Sequence, residues 1–204
     1  MRILICGSPQ QGAEIKNALP ENLNEIIFQE NFINYPDNFP LDGLFLLNEK
    51  HIDFNLLPVK YPVFINEVIG ILKDLNAPAN VLRINGWAGF LQRKVWEVAG
   101  NISVDAERVA EALGRKLIVV KDEPGLISAK VIGAIINEAF YALNEKVSTK
   151  DEINIAMKLA TNYPFGPFEW AEKIGYQKIH DLLSKLSETD SKYKPSFNPE
   201  NIEE

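Results

Sequence analysis

A chain of 204 residues, 46% of them apolar, can bury one large core or two small ones. Its 28 acidic against 21 basic side chains leave a net charge of −7, and with Lys and Arg scattered rather than clustered this argues against a nucleic-acid or anionic-membrane surface. No apolar run approaches the roughly 18 residues of a membrane span, no signal-peptide pattern precedes the first strand, and the lone Cys6 in Ile3-Leu4-Ile5-Cys6 rules out an intrachain disulfide. A soluble, cytoplasmic protein with a buried thiol is expected.

From the N-terminus, apolar runs alternate with helical patterns, the signature of a parallel sheet covered by helices. Strands are predicted at Arg2 to Cys6, Glu25 to Phe28, Gly43 to Leu47, Val63 to Ile65, Val81 to Ile84 and Lys116 to Lys121. Helices are predicted at Gln11 to Leu19, Glu67 to Leu75 and Val104 to Leu113. The connection from Gln29 to Asp42 contains two prolines. It has room for an irregular link but hardly for another helix and strand, since a crossover with a helix takes at least about 10–12 residues. The sheet should therefore be a shortened one.

Gly7-Ser8-Pro9-Gln10-Gln11-Gly12 follows the first strand and opens a helix, the place of a dinucleotide-binding glycine loop. Its middle glycine position is Pro9, whose ring fills phosphate space and which has no N–H. Gly7, Ser8, Gln11 and Gly12 remain as candidates for holding a phosphate, with the Gln11 and Gly12 amides facing the anion, and Glu30 as the acidic residue after the second strand. The other reading is structural: Gly7 and Gly12 serve a tight turn and Glu30 is a solvated carboxylate.

Beyond Pro124 the apolar period changes to about 3.6. A long helix carrying Leu126, Ile127, Val131, Ile135, Ile136, Ala139, Phe140 and Leu143 should be buried on more than one side. Thr149-Lys150-Asp151-Glu152 has the form of a capping box and starts another. Two more follow, Pro167 to Ile174, stopped by Gly175, and Gln177 to Leu186; residues 187–204 read as a docked or partly disordered tail. The boundary between halves should lie at Lys121 to Pro124.

Asp122-Glu123-Pro124-Gly125, Asn137-Glu138-Ala139, Asp151 to Ala160 and Asn162-Tyr163-Pro164-Phe165-Gly166-Pro167-Phe168-Glu169, in this order and spacing, resemble the C-terminal helical domain of 3-hydroxyacyl-CoA dehydrogenases. The resemblance is good from about Pro78 to Pro195 and only positional from Met1 to Asp74. It implies an α/β fold: a shortened Rossmann-like, doubly wound parallel sheet in residues 1–121, followed by an all-α, 6-phosphogluconate-dehydrogenase-like domain in residues 122–204. It also implies NAD as cofactor, a 3-hydroxyacyl-CoA substrate of fatty-acid β-oxidation, and a homodimer through the helical domain; no metal is expected, since the sequence has no histidine or cysteine cluster to hold one.

The family sets a histidine at the end of its sixth strand and a glutamate a few residues on, because hydride leaves carbon 3 only as the 3-hydroxyl loses its proton. Within Asn80 to Val98 of this chain the glutamate position is Glu97 and the histidine position is Asn85. A family asparagine that contacts the substrate carbonyl is matched by Ala129, and the family's Thr-Ser-Ser run after the fifth strand is absent where this chain reads Phe64-Ile65-Asn66-Glu67-Val68. An amide is no base near neutral pH. His51 stands as a substitute base or a surface residue, and His180 as a helix-surface residue. Trp87 and Trp96 read as core or pocket-wall aromatics. Three functions remain open: an active dehydrogenase, a homologue that binds an acyl-CoA or nucleotide without hydride transfer, and a dimeric interaction protein.

Overall fold

The computed structural model describes residues 1–17, 19–20, 25–31, 40–48, 52–56 and 60–202. These fall into two compact units, Met1–Leu126 and Ile127–Glu204.

In the first unit the strands are β1 (Arg2–Cys6), β2 (Glu25–Gln29), β3 (Gly43–Leu46), β4 (Val63–Asn66), β5 (Val81–Ile84), β6 (Val95–Ala99) and β7 (Lys116–Val119), with helices α1 (Pro9–Lys16) and α2 (Val104–Ala112). They form one sheet in the order β2-β1-β3-β4-β5-β6-β7. The first five strands pair in parallel; β6 runs antiparallel to β5, and β7 parallel to β6. This is a Rossmann-like sheet that begins, among the described residues, at β2. Val95–Ala99 is a strand beyond the six predicted, and it runs antiparallel because the short link from β5 carries no helix to return the chain. Strand order reverses between β1 and β3. That makes their carboxyl ends the topological switch point, where ligands of such sheets bind.

One face of the sheet packs Ile3, Ile5, Phe45, Phe64 and Ile84 against Ile15 of α1 and Ala106 and Val109 of α2. The other face, with Leu4, Leu44, Val63 and Ile65, is covered by Ile52, Phe54, Tyr61, Leu72 and Leu75. The helix predicted from Glu67 to Leu75 is instead a series of turns. Glu67 Oε1 accepts from the N–H groups of Ile69 and Gly70, and Asp122 Oδ2 accepts from Leu72 N–H at 2.9 Å. Side chains have taken the backbone donors a helix would have used.

The long helix begins at Ser128 rather than at Pro124. Leu126 sits in the left-handed region at φ 48°, its N–H bonds to Glu123 O, and Gly125 N–H bonds to Val68 O at 2.7 Å. Arg83, fully buried in β5, donates to Glu67 O, Val68 O and the Asp122 carboxylate. Residues 122–126 are thereby tied to the sheet, and the division between units falls at Leu126–Ile127.

The second unit holds α3 (Ser128–Asn144), α4 (Lys150–Thr161), α5 (Pro167–Ile174) and α6 (Tyr176–Ser187). α3 buries Ala129, Ile132, Ile136, Ala139 and Phe140, but Val131 and Tyr141 stay exposed, so its apolar stripe is wider than its buried one. Phe168, Trp170, Ile174, Ile179, Leu182 and Leu183 complete the core. Residues 191–202 are docked. Asn137 donates to Lys194 O at 2.9 Å and accepts from Ser196 N–H at 2.8 Å, while Phe197 stacks on Phe140 with centroids 4.2 Å apart. His180 is not a plain surface residue: its side chain is 30% exposed and its ring lies edge-on to Phe197.

Candidate functional site

Two clusters of sequence-predicted residues lie at strand ends of the first unit. The first surrounds the glycine loop after β1. Ser8 caps α1: its Oγ accepts from Gln11 N–H at 3.2 Å, and Gln11 Oε1 accepts from Ser8 N–H at 2.9 Å, a capping box with Pro9 at the first helical position. Gln11 does more than cap. Its Nε2 donates both to Leu47 O, just past β3, at 3.0 Å and to Gly86 O, just past β5, at 2.9 Å.

Asn66, the last residue of β4, closes a ring with these groups. Its Nδ2 donates to Leu47 O at 3.1 Å and its Oδ1 accepts from Gly86 N–H at 2.9 Å. Gly86 lies so close that a Cβ there would stand 2.7 Å from Asn66 Cγ. The ring joins the β1 loop to the ends of β3, β4 and β5. Gly7 N–H is bonded to Gln29 O and Gly12 N–H to Ser8 O. The Gln11 and Gly12 amides expected to face an anion are therefore turned to Ser8. Glu30 is exposed, one residue past β2, where its backbone carbonyl accepts from the Asn48 amide.

The second cluster lies where β5 meets β6. Ile84 pairs with Val98 in antiparallel register, with Asn85 the residue after Ile84 and Glu97 the residue before Val98. Two residues twelve apart in sequence thus both adjoin the Ile84–Val98 pair. Asn85 is 5% exposed, and its Oδ1 accepts from Trp87 N–H at 3.1 Å. Glu97 is half-buried. The following turn is pinned by Glu14 of α1, which accepts from Gly89 and Leu91 N–H, and by Trp96 Nε1 donating to Leu91 O. Trp87 and Trp96 are core residues.

Ala129 is fully buried, an apolar packing residue of α3. His51 lies outside the described residues. Burial pushes the Cys6 thiol above its ordinary value, partly offset by the Gln29 amide that donates to its sulfur. Among the described residues no group of three His, Cys, Asp or Glu is placed to hold a metal, and no helix is long and apolar enough to cross a membrane. Sequence reasoning passed over Glu14, Arg83 and the ring-closing role of Asn66. The signal was available for two of them: Arg83 interrupts the apolar run Val81-Leu82-Arg83-Ile84, and Asn66 ends Val63-Phe64-Ile65.

Residues 125–203 match the family of 3-hydroxyacyl-CoA dehydrogenase C-terminal domains. Over 189 residues, 91% of the chain and 60% of the relative, the chain is 23% identical to a Deinococcus radiodurans protein described as "Probable 3-hydroxybutyryl-CoA dehydrogenase". The 3-hydroxyadipyl-CoA dehydrogenase of Escherichia coli is 36% identical over 84 residues, 40% of this chain and 18% of that one. The crystal structure of (S)-3-hydroxybutyryl-CoA dehydrogenase from Ralstonia eutropha aligns with a TM-score of 0.71 at 18% identity, covering 96% of this chain and 89% of that one, a likeness of fold. The chain spans less than two thirds of the length of the curated relatives it matches.

Proposed function

We propose, from the premise that this chain is a homologue of the 3-hydroxyacyl-CoA dehydrogenases with their C-terminal domain in residues 125–203, that it binds an acyl-CoA-type ligand without hydride transfer. One observation carries the reading: the residue that follows the last β5–β6 pair, Ile84 with Val98, is Asn85, while Glu97 precedes Val98 on β6. Oxidation of a 3-hydroxyl needs a group that accepts the hydroxyl proton as the hydride departs. A carboxamide does not, and the Asn85 oxygen accepts a hydrogen bond from Trp87 N–H. A positioned general base is worth about 10²–10⁴ in rate.

Calorimetric titration with acetoacetyl-CoA, followed by NADH absorbance with both present, tests this. CoA-ester binding with no NADH consumption is the expected result. Turnover would overturn the proposal and direct attention to Glu97 and His51 as bases, and absence of CoA-ester binding would overturn it from the other side.

A second reading, that the helical unit mainly makes a homodimer, is favoured by the apolar side chains it leaves outside: Ile155 at 55% and Leu159 at 83% exposure on α4, with Val131 on α3. A monomer by light scattering at high concentration would remove it. The acidic surface and solitary buried Cys6 suit the cytoplasm as compartment.

A further inference from the structure

We infer that Gln11 is a built-in occupant of the crevice where a dinucleotide's pyrophosphate would lie, and that the first unit is closed to NAD(H) by its own side chain. The inference concerns the nucleotide alone and does not depend on the acyl-CoA reading.

A pyrophosphate at such a switch point needs backbone N–H groups directed at it from the glycine loop and the start of the helix, with nothing between. Gly7 N–H goes to Gln29 O, Ser8 N–H to Gln11 Oε1, Gln11 N–H to Ser8 Oγ and Gly12 N–H to Ser8 O. Pro9 has no N–H, which leaves Gln10 N–H as the one loop amide without an acceptor among the described residues. One donor is not a cradle.

The space is taken as well as the donors. Gln11 Oε1 lies 2.9 Å from where a Gly7 Cβ would be, directly over the first glycine of the loop. From there the amide crosses the carboxyl ends of β1 and β3 and spends both its hydrogens on Leu47 O and Gly86 O. Three of the four hydrogen-bonding capacities of the Gln11 amide are used, both donors among them, and all three bonds are intramolecular. A neutral amide that both donates and accepts has replaced a dianionic ligand that only accepts, so the residues present do not fit the dinucleotide. Pro9 is compatible with this arrangement rather than its cause: it serves as the first residue of a helix that the Ser8–Gln11 box has already started.

NADH fluorescence titration of the full chain separates the contributions of Pro9 and Gln11. The wild-type protein and Pro9→Gly should show no saturable binding up to about 1 mM NADH, whereas Pro9→Gly combined with Gln11→Ala should bind at least tenfold more tightly than either. NADH binding by wild type, NADH binding by Pro9→Gly alone, or a folded double variant that stays silent would each overturn the inference. Should the double variant not fold, exchange rates of the Ser8 N–H and Gln11 side-chain amide in the wild type decide. Slow exchange unaffected by NADH is expected, and release of these protons on adding NADH overturns it. No CoA ester enters these titrations, so their failure and the failure of acyl-CoA binding are read independently.

Discussion

The carboxyl ends of β1, β3, β4 and β5 and the segment from Asn154 to Glu169 are both places where polar side chains fix a turn. In the second, each role is local. Asn162 closes α4 in the left-handed conformation at φ 54°, Pro167 begins α5, and Glu169 reaches back to Gly166 N–H at 2.7 Å while pairing with Lys158. Asn154 Oδ1 accepts from Phe168 N–H, fourteen residues away. At the strand ends, Gln11 bonds across 36 residues to Leu47 and across 75 to Gly86. The helical unit uses its motif residues on its own helix ends; the sheet unit uses its strand-end amides to bond distant segments to one another. Polar residues at a site are evidence of binding only when their partners are absent from the chain.

Gly166→Ala should break the helical side of that comparison hardest. An added Cβ would stand 2.6 Å from Asn154 Cα, and such overpacking costs about 3 kcal/mol. Denaturant unfolding followed through Trp170, the one tryptophan of the second unit, should report it. An unchanged midpoint would mean that the glycine is not needed for the close approach. Asn66→Ala should weaken the strand-end ring by about 2 kcal/mol, because it strands the buried Gly86 N–H and removes a donor from Leu47 O. Trp87 and Trp96 are the reporters there, and loss confined to Trp170 would contradict the ring.

The smallest effect sharpens the contrast by pH. The Lys158 ammonium, then Gly166 N–H, holds the Glu169 carboxyl below its usual range, and the Ser148 hydroxyl with Thr149 N–H and hydroxyl does the same for Glu152. Carboxyls depressed in the folded state stabilise it above the unfolded value of about 4.3, and that contribution is lost as pH falls through the lower folded values. The Gln11–Asn66 ring consists of amides and does not titrate. Gly166 and Thr149 amide resonances should therefore move on acidification while Ser8 N–H holds still. Titration of Ser8 in step with Gly166 would remove the distinction.

What was legible in the sequence follows the same division. The Thr149–Glu152 capping box, the Gly175 stop and the strands from β1 to β5 are patterns within a few residues, and each stands where the spacing predicts. Glu67 to Leu75 has helical periodicity, yet a side chain from Asp122, fifty residues on, takes one of its donors. Nor does anything near Gln11 in sequence reveal the carbonyl of Gly86. Composition and period describe an element's faces; they are silent on which distant backbone group a single amide will meet.

The ring at the strand ends also bears on how the chain unfolds. Its bonds link β1, β3, β4 and β5 across 19 to 75 residues, so each needs distant segments brought together first, at a cost in loop-closure entropy. Stabilisation added after the barrier slows unfolding and leaves the folding rate nearly untouched. Asn66→Ala should therefore speed unfolding of the first unit more than it slows folding.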